Sequence, residues 1–207
     1  MITLARHGQT AWNREGRYQG RSDPPLCQEG IDEAVLLAAQ LRGAGIGSIF
    51  TSPLCRAQQT AQIIATVLSL GPVQTDPRLA EIAFGAWEGF TQSEVRVRWP
   101  ELLQRWKHAP ETVRFPGGEN LQEARLRLRA FLADQTSQQE PHSASTLVIT
   151  HTGLIRIAIL EARLASSSLF RKICIAPASR HRFVLRKAVG TWDPVIEHVE
   201  ESSCASP

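Results

Sequence analysis

The run Thr146-Leu147-Val148-Ile149-Thr150 is β-branched or apolar throughout and stops at His151-Thr152-Gly153. Such a run, with no alternating polar face, reads as a strand buried on both sides. Two further runs behave alike. Ile2-Thr3-Leu4-Ala5 ends at Arg6-His7-Gly8, and Ser48-Ile49-Phe50-Thr51 ends at Ser52-Pro53. Helical patterns follow them. Ile31, Ala34, Val35, Ala38 and Leu41 share one spacing, closed by Gly43, and Leu154, Ile155, Ala158 and Ile159 form another. Ser52 and Pro53 read as N-cap and first residue of a helix through about Leu68. Strands alternating with helices predict an α/β fold of three layers, α/β/α, around a mainly parallel sheet.

The remaining segments are less regular. Residues 9–27 read as loop with a short helix, and Val73-Gln74-Thr75 as a short third strand. Residues 86–118 hold Trp87, Trp99, Trp106 and several prolines and read as a helical insertion, with the tryptophans packing it. Leu121, Ala124, Leu128, Phe131 and Leu132 lie on one helical face, and 135–145 reads as a polar linker. Strands are expected at 172–176, 181–187 and 192–199, with the charged Arg180–Lys187 run as an exposed, antiparallel edge. Residues 1–200 thus read as one domain, and 201–207 as a flexible tail.

Composition narrows the function classes. With 207 residues, 43% apolar and 21% charged, the chain is ordinary globular material. A net charge of +3 is too small to indicate nucleic acid. No apolar run approaches a membrane span, and Met1–Arg6 has no signal-peptide pattern, so a cytoplasmic enzyme without membrane contact is expected. Cys27, Cys55, Cys174 and Cys204 are too irregularly spaced for a zinc site or a disulfide framework. Gly43-Ala44-Gly45-Ile46-Gly47 superficially resembles a dinucleotide fingerprint, but it follows a helix and precedes a strand, the reverse of what that fingerprint needs.

In an open parallel sheet, ligands sit beyond the carboxyl ends of strands. Arg6-His7 and His151 fall there, and Arg56 lies in the first turn of the helix after the second strand. Two histidines and two arginines suit a phosphate dianion, because the guanidinium fork matches phosphate oxygens and stays charged. Helix N-termini near Ser52 and Thr152 add backbone donors. A histidine so placed can accept the phosphoryl group itself. A carboxyl group is then needed to protonate the leaving oxygen and later activate water. Glu81 and Glu88 are the candidates.

Five ordered segments carry a family resemblance. Leu4-Ala5-Arg6-His7-Gly8-Gln9-Thr10, then Trp12-Asn13, resembles the signature of the histidine phosphatase superfamily, the phosphoglycerate mutase-like enzymes. Ser52–Ala61, Glu81–Gly89, Pro116–Asn120 and Val148–Gly153 resemble its other motifs, and together they cover roughly residues 2 to 165. The resemblance implies that His7 is a phosphohistidine nucleophile, that Arg6, Arg56 and His151 clamp the phosphoryl oxygens, and that Glu81 rather than Glu88 is the acid and base. It implies that Asn13, Gln19, Gly20 and Thr152 line the phosphate pocket, and that no metal or cofactor is required.

Thr152 stands where many members have Gly. Cys55 stands where Lys or a similar residue is common, and is expected as a small buried residue. The implied activity is hydrolysis of a small phosphorylated metabolite, with phosphoserine and α-ribazole phosphate as leading substrates. A phosphoglycerate mutase is the alternative, although Ile82–Trp87 lacks the tyrosine-rich segment of those enzymes. A non-catalytic phosphate-binding protein, or one directed at phosphoproteins, is the third reading. A homodimer is left open.

Overall fold

A computed structural model describes residues 1–138, 144–187 and 194–202. Six strands form one sheet: β1 (Ile2–Arg6), β2 (Ile46–Thr51), β3 (Gln74–Thr75), β4 (Ser145–Thr150), β5 (Arg180–Lys187) and β6 (Pro194–Ser202). Their order is β3-β2-β4-β1-β5-β6. The first four run parallel, while β5 pairs antiparallel with both β1 and β6. Side chains alternate across this sheet as the pleat requires. Leu4 and Val148 join one core cluster, and Ala5, Leu147 and Ile149 join the other.

Helices α2 (Gln28–Gln40) and α3 (Cys55–Leu68) cover one face, contributing Leu37, Ala38, Ala61 and Ile64. Helices α6 (Leu121–Gln138) and α7 (Thr152–Ala162) cover the other, with Leu128, Phe131, Ile155 and Ile159. The short α1 (Ala11–Arg14) begins with a capping box between Thr10 and Asn13. The three layers and the mainly parallel sheet are as the sequence implies. None of the helices in the described residues is long and apolar enough to cross a membrane.

The stretch 86–118 contains α4 (Gln92–Arg98) and α5 (Pro100–His108), with 3-10 turns at Gly85–Trp87 and Pro110–Thr112. Its aromatic residues are core, not a stacking platform. Phe115 sits at the centre, with ring centroids 4.9 Å from Phe84, 5.0 Å from Trp87 and 5.0 Å from Trp106. Each such edge-to-face pair adds about 0.5–1.5 kcal/mol beyond its buried area.

Several expectations need correction. The phase of α2 is shifted, since Ile31 and Val35 are 37% and 45% exposed while Leu37 is buried. The buried positions 30, 34, 37, 38 and 41 follow the helical period better than those inferred from apolar residues alone. Helix α3 starts at Cys55 with Leu54 as N-cap, so Ser52 and Pro53 belong to the turn before it. Helix α6 runs four residues into the expected linker, whose part at 139–143 lies outside the described residues. Residues 172–176 form no strand, because the carbonyls of Ile173 and Ile175 accept from Arg156 and Arg6 side chains instead of a neighbouring strand. Strand β5 is internal, since β6 covers its outer edge. The expected tail begins inside β6, and 203–207, with Cys204, lies outside the described residues. Cys55 is half-buried at the start of α3, not part of the core.

Candidate active site

Register builds the site. In the parallel pair β1 and β4, Arg6 is opposite Thr150, and the His7 N–H donates to the Thr150 carbonyl at 3.1 Å. The next residue of each chain segment is a histidine. The two rings therefore emerge side by side, with centroids 5.0 Å apart. From the other side of β4, the Ser52 N–H donates to the Ile149 carbonyl, which brings the end of β2 to the same level. Gly8 makes this packing feasible. A Cβ there would lie 2.2 Å from the carbonyl oxygen of Gly30, in the first turn of α2.

The His7 ring is fixed in one tautomer. Its Nδ1 lies 2.6 Å from the Gly8 carbonyl, which can only accept, so Nδ1 carries the hydrogen. Nε2 holds the lone pair and receives the Arg56 Nε–H at 3.3 Å. Burial, reinforced by the Arg56 and Arg6 charges, holds the His7 pKa well below the usual histidine value. His7 is therefore neutral at physiological pH. His151 is depressed in the same direction, first by burial and then by Arg56. Its Nε2 is 2.7 Å from the Ser52 hydroxyl, and its Nδ1 is buried without a partner.

Arg56 is 1% exposed, held by the carbonyls of Ser22 and Gly20 at 2.8 Å each. Asp23 is 3.9 Å from it and also accepts the Cys55 N–H at 2.7 Å. The donor at the start of α3 is thus already taken by a carboxylate. That is a departure from the expectation that this helix end faces the anion. Arg6 donates to the Ile175 carbonyl at 2.7 Å, while its Nε is buried and unpartnered. Burial lowers its pKa to about 10, so it remains charged at neutral pH.

The carboxylates separate clearly. Glu81 lines the same cleft as His7, Arg6 and Arg56. Its oxygens accept from the N–H of Ile82 at 2.8 Å and of Gly153 at 3.2 Å. Gly153 leaves room for it, since a Cβ there would come within 2.3 Å of the Glu81 Oε1. Arg127 holds the backbone of this segment by donating to the carbonyls of Arg78, Ala80 and Glu81, and it is itself paired with Glu119. Glu88 is occupied elsewhere. It accepts from the N–H groups of Arg21, Ser22, Phe84 and Gly85 and from the Ser22 hydroxyl, so it ties two loops together.

The cleft, about 190 Å³, also collects Asn13, Gln19, Gly20 and Thr152. The side-chain oxygens of Asn13 and Gln19 accept from Thr10, which leaves their amide NH2 groups for a ligand. His151 does not line the cleft and is fully buried beside His7. Sequence reasoning missed Arg17, Tyr18, Phe84, Trp106, Arg156, Phe170 and Arg171, which complete the walls. Of these, only Arg156 carried a readable signal, as it lies one helical turn after Thr152. No group of side chains suited to a metal ion occurs among the described residues.

The histidine phosphatase superfamily (branch 1) model matches residues 2–194. The chain belongs to this family. Phosphoserine phosphatase 1 of Hydrogenobacter thermophilus is 36% identical over 151 residues, covering 73% of this chain and 70% of that protein. A Yersinia pestis protein named "Probable phosphoglycerate mutase" is 37% identical over 150 residues, covering 72% and 68%. Among solved structures, a phosphoserine phosphatase from Entamoeba histolytica, in complex with 3-phosphoglyceric acid, superposes with a TM-score of 0.82 at 26% identity, covering 99% of this chain and 97% of that one. A mycobacterial glucosyl-3-phosphoglycerate phosphatase gives 0.85 at 25% identity, covering 98% and 99%. The groups described above converge beyond the carboxyl ends of β1, β2 and β4, where an open parallel sheet takes its ligands.

Proposed function

We propose that this chain is a metal-independent phosphomonoesterase that hydrolyses a small phosphorylated metabolite through a phosphohistidine at His7, within one catalytic domain over residues 1–200. The observation that carries this reading is the His7 tautomer. Nε2 is neutral, unprotonated and beside Arg56, in a cleft that also holds Glu81.

The chemistry follows from these positions. The Nε2 lone pair attacks phosphorus as the ester P–O bond breaks. The departing alkoxide takes the proton of the Glu81 carboxyl group. The Nδ1–H to Gly8 carbonyl bond steadies the positive ring of the phosphohistidine. Glu81, now a carboxylate, takes a proton from water, and the resulting hydroxide attacks phosphorus and breaks the P–N bond. Phosphate leaves, and both residues return to their starting states. Charge on the equatorial oxygens is met by Arg6, Arg56 and the amides of Asn13 and Gln19, with Gly20 and Thr152 shaping the pocket and His151 packed behind the His7 ring.

Relatives support a small substrate. Relatives are named for phosphoserine and glucosyl-3-phosphoglycerate, one of them holds 3-phosphoglyceric acid, and an Escherichia coli protein of similar structure is named "putative alpha-ribazole-5'-P phosphatase". The test is phosphate release in EDTA from phosphoserine, α-ribazole phosphate, 3-phosphoglycerate, sugar phosphates and nitrophenyl phosphate. Turnover of at least one ester at full rate is expected. Loss of activity on chelation contradicts the metal-free step. Phosphoryl transfer between phosphoglycerates, stimulated by a bisphosphoglycerate primer and without release, supports the mutase reading instead.

A further inference from the structure

We propose that the substrate carries a carboxylate and that Arg156 and Arg171 bind it, in a subsite beside the phosphate pocket. This rests on the phosphatase reading above and narrows it.

The inference begins with charge. Five arginines line the cleft, at 6, 17, 56, 156 and 171, against one carboxylate, Glu81. The phosphoryl group of a phosphomonoester faces Arg6 and Arg56, of which Arg56 also has Asp23 at 3.9 Å. Arg17 is neutralised by Glu15 at 2.5 Å and Glu94 at 3.6 Å. Arg156 and Arg171 remain. Among the described residues, Arg156 donates only to the Ile173 carbonyl, through Nε at 2.8 Å. Arg171 donates only to the Gln92 side chain, at 3.5 Å. Neither pairs with a carboxylate, and both terminal nitrogens of Arg156 keep their hydrogens uncommitted. A half-buried guanidinium without an anion is unfavourable unless a ligand supplies one.

Position then selects the anion. Arg156 follows Thr152 by four residues on α7, so the two side chains share a helix face, and both line the cleft. The Arg156 guanidinium lies over the Phe170 ring, 5.5 Å from its centroid. A planar fork binds a planar carboxylate through two parallel hydrogen bonds. Phe84, Trp106 and Phe170 close the cleft around this point and keep the substrate small.

The test uses matched pairs that differ in the carboxylate: phosphoserine against phosphoethanolamine, and 3-phosphoglycerate against glycerol 3-phosphate. The wild-type protein is expected to favour the acid of each pair in kcat/KM by about 10- to 100-fold, the range of a charge-assisted pair. In Arg156→Gln and Arg171→Gln this ratio falls toward one, mainly through KM. Vanadate inhibition of each variant reports that the phosphate pocket is still formed. Equal rates within each pair in the wild-type protein overturn the proposal. So does a variant that slows both members equally, or a bisphosphate that outcompetes both acids. Absence of turnover with every ester, nitrophenyl phosphate included, overturns the phosphatase reading itself. Turnover of nitrophenyl phosphate without acid preference overturns only the subsite.

Discussion

Arg56 donates its Nε–H to Nε2 of His7 at 3.3 Å, while its two terminal nitrogens are held by the carbonyls of Ser22 and Gly20. One buried guanidinium thus orients the nucleophile and fixes the loop that closes the pocket. Arg56→Met removes a fixed positive donor from the developing phosphoryl charge. It is expected to lower kcat/KM by roughly 100- to 1,000-fold. Two carbonyls lose their partner as well, so stability falls by about 1–3 kcal/mol, read by urea unfolding. A variant with near-normal kcat/KM contradicts this placement.

Glu81 is assigned as the acid, so its loss should depend on the leaving group. Glu81→Gln is expected to slow alkyl phosphates far more than nitrophenyl phosphate, whose leaving group needs no proton. Arg127 positions the Glu81 backbone through three carbonyls. Arg127→Met should therefore reproduce the same leaving-group pattern in milder form, acting on kcat more than KM. Equal loss across leaving groups in Glu81→Gln contradicts the assignment.

Glu88 gives the contrasting case. Four backbone N–H groups converge on its carboxylate. Glu88→Ala is expected to cost about 2–4 kcal/mol in urea unfolding, because those donors lose their acceptor. Its effect on rate should be the same for alkyl and aryl esters. A leaving-group dependence as steep as that of Glu81→Gln makes Glu88 the acid instead.

His7 and His151 give a pH signature. Both are held neutral in the folded protein, with pKa values well below 6.5. Below about pH 6.5 the unfolded chain binds protons that the native state does not. Stability therefore falls as pH drops through that window, by up to about 1.4 kcal/mol per pH unit for each histidine, and is level above it. Urea unfolding from pH 8 to 5 should show this slope. His7→Gln should reduce it by about half, and an unchanged slope contradicts the burial argument.

The sequence made the strand-end residues legible because they are contiguous with their strands. Arg6, His7 and His151 need only the rule that ligands sit beyond parallel strand ends, and the structure does bring His7 and His151 to one level. Arg56 was found through the helix that follows β2, although its helix end faces Asp23 and not the cleft. The choice between Glu81 and Glu88 came from the resemblance, since the donors that tie Glu88 down include Arg21 and Ser22, 67 and 66 residues away, which no spacing encodes. Arg171 escaped notice because 172–176 reads as a strand, while the actual 3-10 turn at Ser167–Lys172 presents it to the cleft. The two carbonyls just beyond that turn are claimed by arginines from β1 and α7, a tertiary event that local preference does not report.

The central claim is a covalent phosphoryl group on His7. The most direct measurement is rapid acid-free quenching of the wild-type protein during turnover of nitrophenyl phosphate, followed by peptide mapping. A phosphoryl group on the His7 peptide, stable in base, labile in acid and missing from His7→Ala, is the predicted result. Continued turnover by His7→Ala, or a phosphoryl group mapped to another residue, contradicts the account.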